Sequence, residues 1–131
     1  MGSTTFSGPV TSTNGFVGAI TGNVTGNVTG DLTGRVFGTV TTRSGAGAVP
    51  ITAGTVRLTT TGADALTLAN GANGQILSIV MVTDGGDGTL TPTTKTGFTT
   101  ITFGDVGDSV TLQYFTTLGW MILSNNGCTV A

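Results

Sequence analysis

The fold is decided by the stretch Gly18-Ala-Ile-Thr-Gly-Asn-Val-Thr-Gly-Asn-Val-Thr-Gly-Asp-Leu-Thr-Gly-Arg-Val-Phe-Gly-Thr-Val-Thr41. It contains six successive units of the form Gly-x-φ-Thr, in which φ is an apolar residue and Phe37 replaces one threonine. The apolar positions are Ile20, Val24, Val28, Leu32, Val36 and Val40. A period of four is two strand periods, so in an extended chain these residues and the glycines share one face. A helix would scatter them, because its period is about 3.6, and collagen needs glycine at every third position. The pattern therefore predicts an amphipathic β stem.

A single stem of this kind cannot be stable alone. Fully extended, about 24 residues would span roughly 80 Å, and a lone strand would leave its backbone groups unpaired. Either the repeat folds back as short strands with glycine at the corners, or several chains wrap around a common axis with the apolar row inward. We favour the second arrangement, because four residues are too few for a hairpin and neighbouring chains supply the missing partners. Threefold symmetry is usual for fibrous β stems, so the repeat predicts a homotrimer that self-associates through the six apolar positions.

The residues that follow the repeat predict a separate small domain. Residues 42–50 are small and end in Pro50, which is typical of a linker. Short apolar segments then alternate with Gly, Asp and Asn turns at a spacing of about ten residues, which favours a β-sandwich or jelly roll. The predicted strands are Thr55–Thr60, Ala65–Ala69, Gln75–Val82, Thr89–Thr91, Thr99–Phe103, Ser109–Phe115, Trp120–Ser124 and Cys128–Val130. The predicted core residues are Ile76, Ile79, Leu112, Phe115, Trp120 and Ile122.

The sequence thus predicts an all-β protein in four parts. They are an N-terminal arm (1–15), the tetrad-repeat stem (16–41), a linker (42–50) and a β-sandwich or jelly-roll-like domain (51–131). Composition supports this class, because the 131 residues include 23 glycines and 30 threonines but no glutamate. Threonine and valine favour strands, whereas glycine costs a helix roughly 1 kcal/mol relative to alanine.

Charge and cysteine content exclude several function classes. The chain has no histidine and one cysteine, Cys128, so the usual zinc and haem sites and a disulfide framework cannot be assembled within it. The net charge of −2 disfavours a nucleic-acid binder, which needs clustered Lys and Arg. Neither a secretory signal nor an apolar run long enough for a membrane span is recognisable. We expect no cofactor and no enzymatic activity.

Two pairs of carboxylates are candidates for a calcium site: Asp84 with Asp87, and Asp105 with Asp108. Oxygen ligands in loops suit calcium, but the EF-hand spacing and its closing Glu are missing. Asp-Gly is also common turn chemistry, so we interpret both pairs as turn residues.

Three further features have a structural and a functional interpretation. Trp120 could stack on a sugar, but its apolar neighbours favour a core position. Cys128 lacks the neighbouring base that activates a nucleophile, so we interpret it as a small apolar residue. The sequences Asn23-Val-Thr25 and Asn27-Val-Thr29 match the glycosylation pattern, but the repeat generates them automatically.

Several stretches resemble structural proteins of tailed bacteriophages, particularly marine ones. The N-terminal Thr-Thr-Phe-Ser-Gly-Pro-Val-Thr-Ser-Thr-Asn-Gly-Phe-Val-Gly (Thr4–Gly18) is similar to a segment of their virion proteins. The stretch from Gly74 to Pro92, with Ile-Val-Met-Val-Thr-Asp-Gly-Gly-Asp-Gly-Thr, looks like a small β domain of the same proteins. So do Thr99–Leu112 and Gly119–Gly127. Together the matches cover most of the chain.

The resemblance implies a β-rich, trimeric, surface-exposed virion part without catalytic residues. From it we predict a capsid decoration or cement protein, made in the host cytoplasm, that binds the major capsid protein and stabilises the head. The arm residues predicted to face the capsid are Phe6, Pro9, Val10 and Phe16. The alternative is a head-fibre or tail-fibre module that recognises a host-surface glycan.

Overall fold

The computed structural model describes residue 7 and residues 33–131. The chain divides into two units, Met1–Gly34 and Arg35–Ala131, and the fold described below is that of the second unit. In the order of the chain its strands are β1 (Val40–Ser44), β2 (Gly47–Ala48), β3 (Thr55–Thr59), β4 (Asp64–Leu68), β5 (Ile76–Thr83), β6 (Gly88–Pro92), β7 (Ile101–Phe103), β8 (Ser109–Phe115), β9 (Gly119–Asn126) and β10 (Thr129–Val130). The described residues contain no helix, which confirms the all-β prediction.

The strands form two mixed sheets of five strands each. The first sheet has the order β1-β3-β5-β8-β9, and the second has the order β10-β7-β6-β4-β2. In the first sheet β1, β3 and β5 are parallel, and β8 and β9 are antiparallel additions. In the second sheet β2, β4 and β6 are parallel, and β7 and β10 are antiparallel additions.

The parallel strands belong to a coil. The chain passes from the first sheet to the second and back, so that β1–β2, β3–β4 and β5–β6 are three successive coils stacked in register. Backbone hydrogen bonds also join the turns of neighbouring coils. The amide of Gly45 donates to the carbonyl of Thr59, and the amide of Thr60 donates to the carbonyl of Thr83, each at 3.0 Å. The antiparallel strands β7 to β10 then close one end of the stack.

The core lies between the two sheets. Every second residue of β5 and of β8 is buried, which is the alternation expected when one face of a sheet is covered. The largest fully buried side chains come from both sheets and form one cluster with their neighbours: Trp120, Phe103, Leu58, Leu66, Leu68, Leu77, Ile79, Met81, Leu90, Ile101, Leu112 and Val56.

All eight predicted strands are found, most within two residues of their predicted ends. The parallel connections, however, differ from a jelly roll, whose strands are antiparallel. The predicted linker 42–50 contains the end of β1 and all of β2. Its small residues form strands because the backbone pairs with β3 and β4, a contact that does not depend on side-chain size.

The predicted core residues divide between the two sides of the first sheet. Ile79, Leu112 and Trp120 are fully buried, and Ile122 is partly buried and packs against the core. Ile76 is instead 52% exposed, and Phe115 is half-buried. Both lie on the outer face, because the inward positions of β5 and β8 are the alternate residues, Leu77 and Tyr114 among them.

Candidate functional site

The first strand of the coil directs polar residues toward the core. Thr41 and Arg43 pair with the buried residues Val56 and Leu58 of β3, so they lie on the inward side. Val40 lies on the outward side, and 61% of its surface is exposed. A core-facing strand is ordinarily apolar inside, whereas both inward residues of β1 are polar, as are two of its three outward residues, Thr42 and Ser44.

The guanidinium of Arg43 explains how a charged residue is accommodated on the inward side. Its Nε donates to the carbonyl oxygen of Gly45 at 3.2 Å. A Cβ at Gly47 would lie 2.6 Å from the Nη2 atom of the same side chain. The guanidinium thus turns out of the core and over the neighbouring turn, while the aliphatic part of Arg43 remains beside β3.

Apolar side chains gather at one end of the outer face of the first sheet. Ile76 pairs with Gln113, which pairs with Met121, and these outward residues form one row across three strands. Phe115 is the next outward residue of β8. The adjacent row begins at Val40 and continues through Thr55 and Ser78. We call Val40, Ile76, Phe115 and Met121 the apolar patch, although the polar residues Thr55 and Gln113 lie among them.

The chain that leads into the apolar patch is also apolar and exposed. Val36 is 77% exposed and Phe37 is 83% exposed, and they lie four and three residues before β1 begins at Val40. No side chain of the apolar patch carries a charge. The charged residue of this outer face is Arg57, which pairs with Thr42 in the next row. Exposed aromatic and aliphatic side chains beside an arginine are typical of a protein interface.

The outer face of the second sheet has a different character. Its outward positions, which alternate with buried residues in β4, β6 and β7, are occupied by threonine or alanine. They are Ala48, Ala65, Thr67, Thr89, Thr91, Thr102 and Thr129. This face has neither charge nor a large side chain, so it lacks the apolar area that distinguishes the outer face of the first sheet.

The four candidate calcium ligands, Asp84, Asp87, Asp105 and Asp108, lie at the opposite end of the strands, in the turns. The carboxylate of Asp84 accepts a hydrogen bond from the amide of Gly86 at 2.8 Å. One oxygen of Asp108 accepts from the amides of Gly104, at 2.8 Å, and Asp105, at 3.1 Å. The bond of Asp84 is that of an Asx turn, and the bonds of Asp108 run back to the amides three and four residues earlier and hold the loop before β8. Within residues 33–131 no group of three or more His, Cys, Asp or Glu side chains could hold a metal ion.

Trp120 belongs to the core. It is fully buried, its Nε1 donates to the carbonyl of Ala69 at 2.8 Å, and its ring meets Tyr114 edge-on with 5.3 Å between centroids. The core interpretation of Trp120 is therefore confirmed, and its ring is not available as a sugar platform.

Cys128 is also enclosed. It is 7% exposed, and burial, followed by the nearby Asp108 carboxylate, raises the pKa of its thiol from 9.0 to about 11. A raised thiol pKa suppresses the thiolate, which is the reactive form. The environment of Cys128 thus favours an inert structural cysteine.

Many of the predicted contact residues lie outside the described residues. This applies to the capsid-facing residues Phe6, Pro9, Val10 and Phe16. It applies to the self-association residues Ile20, Val24, Val28 and Leu32, and to both glycosylation sequences. Only Val36 and Val40 of the self-association set are described, and both are exposed.

Sequence reasoning missed the apolar patch because β5 is apolar on both sides. In Ile-Leu-Ser-Ile-Val-Met-Val, alternation alone does not say which set faces inward. One signal was available: the even positions of the repeat are apolar as far as Val40, whereas the next even position, Thr42, is polar. That change marks Val40 as the last member of the apolar row.

Comparison with known proteins gives no relative. No protein-family model, no curated protein and no solved structure matches the chain. In the part of the chain that the structure describes, no helix has the length and apolar character needed to cross a bilayer.

Proposed function

We propose that this protein is a non-enzymatic structural component of a tailed-phage virion, a decoration or cement protein that acts as a homotrimer on the capsid surface. The observation that carries the proposal is a group of exposed apolar side chains at the entry to β1. Val36, Phe37 and Val40 are each more than 60% exposed, and grouped exposed apolar side chains are typical of a surface that binds a partner.

The division of the chain gives each part a role. The arm, with Phe6, Pro9, Val10 and Phe16, binds the major capsid protein. The repeat joins the copies of the trimer, and the two-sheet unit covers the attachment point. A standard protein interface buries about 1,600 Å², and three linked copies bind with avidity. Many small contacts of this kind resist the outward pressure of packaged DNA.

The resemblance to phage virion proteins, at Thr4–Gly18 and along much of residues 74–127, supports the same proposal. It covers both the arm and the two-sheet unit, so the two parts are expected to act in one virion component. A well-satisfied interior also suits a structural role, because no side-chain nitrogen or oxygen buried within residues 33–131 lacks a hydrogen-bond partner.

Copy number tests the proposal and distinguishes it from the fibre alternative. In purified particles of the encoding phage, a decoration protein is expected at an abundance comparable to that of the major capsid protein, by quantitative gel or mass spectrometry. A head-fibre or tail-fibre module that binds a glycan would be present at trace stoichiometry. Trace stoichiometry would contradict the decoration proposal.

The trimer is tested by a charge in the repeat. Val28→Asp places a carboxylate in the shared apolar row, where burying an unpaired charge is strongly unfavourable, so we expect dissociation to monomers in sedimentation. Thr29→Asp is the matched control, because the neighbouring residue belongs to the polar face and its change should leave the mass unaltered. A Val28→Asp protein that remained trimeric would rule out the intertwined stem.

A further inference from the structure

We infer that Asn70 is a site of spontaneous deamidation and that its isoaspartyl product changes the packing of Trp120. The inference is independent of the proposed function, because the reaction needs only the folded chain and water. The loop between β4 and β5 contains the tripeptide Ala-Asn-Gly twice, at Ala69–Gly71 and at Ala72–Gly74. Asparagine is a labile residue, most of all before glycine. Since the two tripeptides are identical in sequence, a difference in their reactivity comes from the fold.

The reaction uses the asparagine side chain, the next main-chain nitrogen and water. The deprotonated amide nitrogen of Gly71 attacks the Cγ atom of Asn70, and the new C–N bond closes a five-membered succinimide. The Cγ–Nδ2 bond breaks, and the side-chain nitrogen leaves as ammonia. Water then opens the ring at one of its two carbonyl carbons. Opening at Cγ gives aspartate, whereas opening at the main-chain carbonyl gives isoaspartate, in which the main chain runs through Cγ. Glycine favours the attack because no Cβ obstructs its nitrogen.

The fold holds both reacting groups of the second tripeptide. The amide of Gly74, which would be the nucleophile, donates to the carbonyl of Tyr114 at 2.8 Å. The carboxamide oxygen of Asn73 accepts a hydrogen bond from the amide of Thr116 at 3.2 Å. Ring closure at Asn73 must break or distort both bonds, so the folded protein protects this asparagine.

The reacting groups of the first tripeptide are free. Asn70 is exposed, and residues 33–131 provide no hydrogen-bond partner for its carboxamide or for the amide of Gly71. The nearest hydrogen bonds of the loop involve the carbonyl of Ala69 and the amide of Ala72, on either side of the reacting pair. Ring closure at Asn70 therefore breaks no hydrogen bond.

The Asn-Gly pair after β9 is also protected. The side-chain nitrogen of Asn126 donates to the carbonyl of Gly107 at 3.3 Å. The carboxylate of Asp108 lies against Gly127, and a neighbouring negative charge opposes the loss of a proton from the amide. A further pair, Asn14–Gly15, lies outside the described residues. Among residues 33–131 the first tripeptide of the β4–β5 loop is thus the reactive one.

The isoaspartyl product would form directly beside Trp120. The carbonyl of Ala69 accepts the hydrogen bond from the Nε1 atom of Trp120 at 2.8 Å. A Cβ at Gly71 would lie 3.0 Å from the Cζ2 atom of the same ring, so the main chain lies close to the indole there. Isoaspartate at position 70 adds a methylene group to the main chain between these two contacts, which cannot both keep their geometry. Ordinary aspartate adds the same charge without lengthening the main chain.

The test is incubation of the full chain in warm, mildly alkaline buffer, both folded and in urea. Tandem mass spectrometry assigns the gain in mass to each asparagine, and a methyltransferase specific for isoaspartate measures the isoaspartyl product. In the folded protein we expect Asn70 to deamidate about tenfold faster than Asn73, because ring closure at Asn73 must break two hydrogen bonds. In urea the identical tripeptides lose their different surroundings, so the two rates should converge.

Trp120 fluorescence tests the consequence. The emission of the wild type should change during incubation in proportion to the isoaspartate formed at position 70. Asn70→Gln should keep its emission, because glutamine would have to close a six-membered ring, which is slower. Asn70→Asp, measured fresh, is the matched control for charge and should have the emission of fresh wild type. Both substitutions replace an exposed side chain, so both variants should fold, which thermal unfolding verifies.

Three outcomes would overturn the inference. Equal rates at Asn70 and Asn73 in the folded protein, or a faster rate at Asn126, would show that the fold does not select Asn70. An incubated protein that contains isoaspartate at position 70 but keeps the emission of fresh wild type would rule out the effect on Trp120. A fresh Asn70→Asp protein with the emission of the incubated wild type would assign that effect to charge and not to the lengthened main chain.

Discussion

Gly119 and Gly74 are a matched pair for separating backbone strain from steric clash. Their φ angles are nearly equal, 78° and 83°. A Cβ at Gly119 would lie 2.4 Å from the backbone of Thr94, whereas a Cβ at Gly74 would meet nothing within 4 Å. Positive φ is unfavourable for any residue with a Cβ, but only Gly119 is also confined by a backbone that cannot rotate away.

We therefore expect Gly74→Ala to lower the free energy of unfolding by about 1 kcal/mol, and Gly119→Ala to lower it by at least about 2 kcal/mol more. Chemical denaturation followed by Trp120 fluorescence measures both. Equal losses at the two positions would show that Thr94 moves aside and that the clash is relieved.

Asp108 is expected to stabilise its turn as a hydrogen-bond acceptor. Asp108→Ala removes the acceptor for the amides of Gly104 and Asp105, and unsatisfied amides cost about 1–3 kcal/mol. Asp105→Ala is the control, because its side chain is exposed. Addition of calcium should not change the melting temperature of the wild type, whereas a calcium-dependent increase would contradict the turn interpretation.

Cys128 should react slowly with thiol reagents in the folded protein. With a pKa of about 11 in place of 9.0, the thiolate fraction at pH 8 is roughly 100-fold lower. Alkylation by iodoacetamide measures the rate, and the denatured chain is the control. Equal rates in the folded and denatured protein would contradict an enclosed thiol.

The same difference in the pKa of Cys128 predicts how the stability of the folded protein changes with pH above pH 9. Between about pH 9 and about pH 11 the unfolded chain loses the thiol proton while the folded protein keeps it. Unfolding then releases a proton, so stability falls as pH rises through this window. Below pH 9 both states are protonated, and Cys128 contributes no pH dependence. Cys128→Ala should remove this part of the alkaline loss.

At the scale of the element, β5 tests the orientation of the first sheet. Leu77 is fully buried, while its neighbour Ile76 is 52% exposed. Leu77→Ala should cost about 2–5 kcal/mol, as expected for truncation of a core side chain. Ile76→Ala should cost less than about 1 kcal/mol in the isolated subunit. If Ile76→Ala lowered the free energy of unfolding more than Leu77→Ala did, β5 would face the other way.

Strand positions are predictable from this sequence, and the reason is local. Turn residues such as Asp84-Gly-Gly-Asp-Gly88 interrupt the apolar segments at each corner, and the β8 segment Ser109–Phe115 is predicted with its observed bounds. What cannot be predicted is which strand pairs with which. The parallel contact between β1 and β3 joins residues 15 positions apart, Val40 with Thr55, and no local signal specifies it.

The candidate site was harder to predict for the same reason. The repeat predicts that Val36 and Val40 belong to one apolar row, but only the pairing of β1 decides that Val40 faces outward. Ile76 joins Val40 on that surface through β3, a strand whose own outward residues are Thr and Arg. Which residues become neighbours across a sheet depends on the register of the strands. The spacing of residues along the sequence does not specify that register.

At the scale of the whole molecule, the core of residues 35–131 is one cluster shared by both sheets. We therefore expect a chain limited to residues 35–131 to unfold in one cooperative transition, with coincident curves from Trp120 fluorescence and far-UV circular dichroism. A shorter chain that begins at residue 49 lacks the first coil and should be clearly less stable. Two separate transitions for residues 35–131 would contradict a single core.

Stacked coils also make the length of this molecule adjustable. Each coil repeats the same passage between the sheets, and the antiparallel strands that close the stack pair only with the strands of its last coil, β5 and β6. Duplication of a gene segment encoding one β3–β4 unit would therefore insert a further layer without disturbing either terminus. Descendants of this sequence could become taller by tandem duplication while keeping the same closing strands.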